Sequence, residues 1–236
     1  VEKNDKEAFR LYQIASDGGN LDATVNLGLF YEKGIGVEKN DKEVFRLYQI
    51  ASNGGNFRGT NNLGLCYEFG IGVEPNAEEA FRLYQIASDG GLLIASTNLG
   101  LCYQHGTGVE KNDKEAFQLY QLASGGGNSR ATNYLALCYE LGIGVEQNNE
   151  EAFRLYQMSS EEGYLDGTVN LGLCYQNGVG VEKNEEEALR LYKIASDGGN
   201  LDGTVNLALC YQNGVGVEQN EEEALRLYKI ASDGGN

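Results

Sequence analysis

One unit of 36 residues returns in phase along the whole chain, without insertion or deletion. Val1, Val37, Val73, Val109, Val145, Val181 and Val217 mark its recurrence. A fixed period of this size is the signature of a solenoid, in which each unit buries its apolar face only against its neighbours. The phase divides the chain into the second half of one unit, 1–20, and six whole units, 21–56, 57–92, 93–128, 129–164, 165–200 and 201–236. The expectation is a single solenoid domain whose function lies on a surface and not in a pocket.

The unit 21–56 reads as two helices. Ala23, Leu27, Phe30 and Tyr31 recur at helical spacing, and Gly34 ends the first helix as a residue free to adopt the left-handed region. Gly34-Ile35-Gly36-Val37 makes a tight connection. Asn40, followed three residues later by Glu43, predicts a capping box for the second helix, and the pair recurs from Asn4/Glu7 to Asn220/Glu223. Val44, Leu47, Tyr48 and Ala51 form the second stripe, widened by Phe45 and Ile50, and Gly54-Gly55 stops it. Nothing reads as a strand. Gly28, Gly64, Gly100, Ala136, Gly172 and Ala208 share one mid-helix position, where small residues imply close helix packing.

The formal charge of −17 excludes nucleic acid, whose phosphates require a basic patch, and disfavours an anionic membrane surface. It suits a basic or amphipathic protein partner. No apolar run is long enough to span a membrane. Cys66, Cys102, Cys138, Cys174 and Cys210 share one repeat position with Phe30, which marks it as apolar. Equivalent helices lie about 8–10 Å apart, too far for disulfides, so these are buried thiols. The unpaired set leans toward a reducing, cytoplasmic compartment, with a secretory one left open.

The pattern Ala95-Ser-Thr-Asn98-Leu99-Gly100-Leu-Cys-Tyr103-Gln-His-Gly106-Thr-Gly108-Val109, followed by Glu115-Ala116-Phe-Gln-Leu-Tyr120-Gln-Leu-Ala123, resembles the Sel1-like repeat, a relative of the tetratricopeptide repeat. The match runs through every unit. Leu47, Leu83 and Leu119 stand where that family often has Trp, a packing variant. The resemblance implies an all-α fold: a right-handed α-solenoid superhelix of stacked antiparallel helix pairs. It also implies a non-enzymatic adaptor for protein complexes; the residues themselves offer no constellation for a cofactor or metal.

A helical wheel puts Asp22, Val25, Asn26, Leu29, Glu32 and Lys33 opposite the first-helix core stripe. By analogy with tetratricopeptide repeats this face lines a concave groove. The candidate partner-binding residues are Arg58, Asn62, Leu65, Glu68 and Phe69 in one unit, and Ile94, Asn98, Leu101, Gln104 and His105 in the next. Arg130, Asn133, Tyr134, Leu137, Glu140 and Leu141 follow in the third. A ladder of Leu flanked by Asn suits a bound peptide, and it equally suits first helices packing on one another. The middle units break the repeat with apolar, aromatic and Arg residues, the composition of an interaction hot spot. The alternative is end-to-end self-association into fibres or open arrays.

Other chemistry is sparse. His105 is the sole histidine, with no partner for a base or metal site. Ser16, Ser52 and Ser88 recur in phase and read as structural. The Gly-x-Gly turns follow helices and lack a phosphate-loop Lys. Asp17-Gly-Gly-Asn20 and Asp197-Gly-Gly-Asn200 lack the spacing of a calcium loop and read as helix–helix turns.

Overall fold

The computed structural model describes residues 2–234. Among them are thirteen α-helices and no strand. The chain forms two compact units, 1–119 and 120–236. The first holds α1 (Glu2–Asp17), α2 (Leu21–Lys33), α3 (Asp41–Asn53), α4 (Phe57–Phe69), α5 (Ala77–Asp89) and α6 (Leu93–His105). The division falls inside α7 (Asp113–Gly125). The second unit continues with α8 (Ser129–Leu141), α9 (Asn149–Glu161), α10 (Leu165–Asn177), α11 (Glu185–Asp197), α12 (Leu201–Asn213) and α13 (Glu221–Gly234). Even-numbered helices are the first of each repeat and odd-numbered ones the second.

The sequence marks both ends of most helices. Asn20, Asn56, Asn128 and Asn200 each accept, through Oδ1, the backbone N–H three residues on and so open a first helix. Gly34, Gly70, Gly106, Gly142, Gly178 and Gly214 close these helices in the left-handed region, at φ between 69° and 76°. Second helices open at Asn40, Asn76, Asn112, Asn148, Asn184 and Asn220, each capping the N–H three residues later.

The expected capping box forms only in half. The Asn40 N–H donates to the Tyr31 carbonyl, and Glu43 turns away to pair with Arg46 at 2.8 Å. The same Glu–Arg pair at i,i+3 recurs from Glu7–Arg10 to Glu223–Arg226. Exposed pairs of this kind contribute little to stability, because solvent and salt screen them. Asn4 lies inside α1, which runs from Glu2, and so does not stand at a cap position.

Within each unit a first helix packs between two second helices, α4 between α3 and α5, α10 between α9 and α11. Val44, Leu47, Tyr48 and Ala51 are buried as the stripe requires, with Phe45 half-buried edge-on against Tyr67. Ile50 does not widen that stripe. It lies about two-fifths exposed, as do Ile86 and Ile194, because position 50 rotates past the contact with the first helix. Val25 is buried instead of facing outward, since the next first helix packs over that side: α2 touches α4, and α8 touches α10.

Small residues set the spacing. A Cβ on Gly28 would meet the Tyr48 ring at 2.5 Å, and one on Gly172 the Tyr192 ring at 2.6 Å. The recurrent serines join neighbouring helices by hydroxyl pairs: Ser16 with Thr24 at 2.8 Å and Ser52 with Thr60 at 2.9 Å, repeated through Ser196 with Thr204.

All five cysteines are buried and none forms a disulfide. Burial pushes the Cys66, Cys102 and Cys174 thiols up to about 12 and Cys210 to about 11. An unfolded thiol titrates near ~8.5. The stabilisation from keeping these thiols neutral is therefore full below about pH 8.5 and lost as pH rises toward 12. The thermal midpoint should hold to about pH 8.5 and then fall, with a shallower fall in Cys102→Ala. At pH ~8 a thiol reagent should label the native chain far more slowly than the urea-unfolded chain; equal rates would contradict this burial.

Candidate functional site

The first-helix face is built from positions spaced i, i+4, i+7 and i+11, which share one side of a helix. On α4 these are Arg58, Asn62, Leu65 and Phe69, and on α6 they are Ile94, Asn98, Leu101 and His105. On α8 they are Arg130, Tyr134, Leu137 and Leu141. Phe69 is 67% exposed and Leu141 63%, both at the last helical position before the glycine cap. Ile94 is 42% exposed. Arg58 and His105 are also exposed, while Leu65, Leu101 and Leu137 are half-buried.

Several expected contact residues prove to hold the repeats together. Asn98 and Asn133 are buried. Asn98 Nδ2 donates to Asn61 Oδ1 at 3.0 Å, and Asn170 Nδ2 donates to Asn133 Oδ1 at 2.8 Å. These amides clamp consecutive first helices, so they satisfy each other and not a ligand backbone. Asn62 is half-buried, accepts from Asn61 and hydrogen-bonds the Tyr48 hydroxyl. Glu68 and Glu140 accept the hydroxyls of Tyr84, at 2.5 Å, and Tyr156, at 2.6 Å. Gln104, at the equivalent position, is half-buried. Burial, joined by the nearby carboxylate, drives the Tyr48 and Tyr156 hydroxyls upward from their usual range, so they stay protonated donors.

A link 34 residues long escaped the sequence reading. Asn56 Nδ2 donates to Asp22 Oδ1 at 2.8 Å, and Asn200 Nδ2 to Asp166 Oδ1 at 2.6 Å. Where the acid is replaced by Arg58 or Arg130, the partnering cap is no longer Asn but Leu92 or Tyr164, and neither makes a side-chain cap. The signal was the joint change at two positions 34 apart. Its consequence differs between the two sites. Arg58 has no ion pair among the described residues, unlike Arg46 and Arg82, which pair with Glu43 and Glu79. Arg130 instead lies over the Tyr134 ring at 5.6 Å, and Tyr134 stacks on Tyr120 at 5.3 Å. Tyr134 is thus committed to packing within its own unit.

Among the described residues no group of three His, Cys, Asp or Glu side chains is placed to hold a metal ion, and no helix is long and apolar enough to cross a membrane.

A family model described as Sel1 repeat matches residues 1–20, 21–56, 58–92, 93–128, 129–164, 166–200 and 202–236. Among solved structures, the chain is similar to a Sel1 repeat protein from Oxalobacter formigenes, with 29% identity over 95% of this chain and 96% of that one and a TM-score of 0.83. It is also similar to c5321, a protective antigen of uropathogenic Escherichia coli strains displaying an SLR fold. That match has 27% identity and a TM-score of 0.75, covers 97% of this chain, and spans 49% of the longer protein. The immunity protein Pa5087 of Pseudomonas aeruginosa shares the fold at 20% identity and a TM-score of 0.65, over 91% of this chain and 81% of that one. No curated protein matches.

Proposed function

The chain belongs to the Sel1 repeat family, whose repeats generally serve as protein–protein interaction scaffolds, and from that premise we propose that its first-helix face binds a peptide or partner segment. Such repeats are typically non-enzymatic, and the chain is read as an adaptor without catalysis of its own. The observation that carries the reading is Phe69. It projects two-thirds exposed at a position that holds Lys33, Asn177 or Asn213 in other repeats. An exposed aromatic supplies contact area at low entropic cost, and the unpaired Arg58 on the same helix supplies a charge-assisted donor. Ile94, on the next first helix of the same unit, adds apolar area. Leu141 offers the equivalent contact on α8 in the second unit. The acidic balance of the chain favours a partner with basic segments around its apolar anchor.

Affinity capture with mass spectrometry, comparing the native chain with a Phe69→Ser, Ile94→Ser double variant, tests this. Both residues are exposed, so circular dichroism should be unchanged. The native chain should retain partners that the variant loses by about tenfold or more, since two buried apolar contacts exceed 1.4 kcal/mol. Recovery of the same partners at the same yield would remove the first-helix face as the binding surface.

A further inference from the structure

The second helices carry a feature that the first-helix site does not use. Leu122, Met158, Ile194 and Ile230 occupy one repeat position in the unit 120–236. Ile14, Ile50 and Ile86 hold the same position in 1–119, so all seven second helices place a large apolar residue there. Its side chain stays outside the buried core: Leu122 is 59% exposed and Ile194 43%, and Met158 is half-buried. A solvated position without a role would be expected to vary between polar and apolar residues, as position 33 and its equivalents Phe69, His105, Leu141, Asn177 and Asn213 do.

Two of these residues, Met158 and Ile194, line concave surface. In the unit 120–236 consecutive first helices touch, α8 to α10 and α10 to α12, whereas no comparable packing joins α9 to α11. The gap leaves a groove on the second-helix side. One groove of about 320 Å³ lies between the end of α9 and α11, floored by Leu171 and Tyr175 of α10, with Ile194 on its wall. Its repeat equivalent, of about 480 Å³, lies between α7 and α9, floored by Leu135 and Tyr139, with Met158 on its wall. Both grooves therefore offer an apolar floor and an apolar wall residue in the same register.

Their charge is one-sided. Residues 120–236 carry eighteen acidic side chains against seven basic ones. The arginines on the groove walls, Arg154 and Arg190, are already neutralised by Glu151 and Glu187. Glu161 and Glu162 border the grooves with no ion pair among the described residues. A groove of mixed lining that presents an apolar floor and wall residue, rimmed by carboxylates without an ion pair, complements an amphipathic segment with basic flanks.

We propose that these outer grooves of residues 120–236 bind a basic amphipathic helix of a partner protein. Two apolar side chains seven or eight residues apart on one face of such a helix lie about 10–12 Å from each other. One such side chain would seat beside Met158 and the other beside Ile194. Lys or Arg beside them would meet Glu161 and Glu162. This surface is distinct from the first-helix face, and occupation of one leaves the residues of the other untouched.

The test uses a synthetic helical peptide of about 21 residues, rich in Lys and Arg, with Leu at that spacing and one Trp. The chain has no tryptophan of its own, so indole emission reports the peptide alone. A control peptide keeps the charge and replaces each Leu by Gln. Binding of the Leu peptide should be about tenfold tighter than the control at physiological salt and weaken as salt rises. Met158→Ser with Ile194→Ser should weaken it about tenfold, and Glu161→Lys with Glu162→Lys should do so independently through charge. Phe69→Ser with Ile94→Ser should leave it unchanged. Equal binding of both peptides, or native affinity in both outer variants, or loss only in the first-helix variant, would each overturn the proposal.

Discussion

Gly72→Ala should destabilise the chain by about 2–5 kcal/mol, read as a shift in urea midpoint. Gly72 is the second glycine of the Gly-x-Gly turn after α4, with φ +71°. Placing an alanine in that region costs about 1–2 kcal/mol. The larger part is steric. The new Cβ would overlap the Asp41 backbone carbonyl at the start of α3 and come within 3.0 Å of the Phe45 Cβ. Backbone cannot rotate aside as a side chain can, so relief requires moving α3 relative to the turn, an overpacking cost of about 1–3 kcal/mol or more. Gly91→Ala separates the two contributions. Gly91 has φ +84° but open space around its Cβ, so only the backbone strain of about 1–2 kcal/mol should appear. Equal effects of the two substitutions would show that the Gly72 turn is not a packing point between repeats.

Tyr84→Ala should cost about 3–5 kcal/mol. Tyr84 is fully buried in α5, its ring lies against Gly64 of α4, and its hydroxyl donates to Glu68. Truncation removes the ring that fills the space between the two helices and leaves a cavity that neighbours on rigid helices close only in part. Tyr84→Phe keeps the ring and removes the hydroxyl, so it should cost about 1–2 kcal/mol. Glu68→Gln should be close to neutral, because Gln176 already accepts the Tyr192 hydroxyl at 2.6 Å in a later repeat. Should Glu68→Gln match Tyr84→Ala in cost, the carboxylate would have a role beyond accepting this hydrogen bond.

These two predictions mark how differently the residues of one unit could be read. The core of the second helix was legible because Val44, Leu47, Tyr48 and Ala51 obey a helical period, and burial follows period when one neighbour dominates. The first helix has neighbours on three sides, and there a single wheel misassigned Val25 and Asn133 to the outer face. The Asn ladder was visible as a ladder. That Asn61 and Asn98, or Asn133 and Asn170, bond each other depends on the distance between consecutive first helices, which no period encodes. Glu43 met the spacing of a capping box, yet Arg46 three residues on offered a charged partner and won it.

The amino-acid sequence alone determined the repeat, its 36-residue phase, the two helices of each unit, their Gly ends and second-helix Asn caps, and the burial of the cysteines. All of these follow from local rules, because a cap, a turn or an apolar stripe needs only residues within one unit. The tertiary structure decided which polar side chains are consumed in joining units, such as Asn98 and Glu68, and which remain available, such as Arg58. It also decided that the apolar row at Ile50 and Ile194 faces outward. Those assignments rest on how closely one repeat approaches the next, and that distance is set by packing between units and not by the sequence of any one of them.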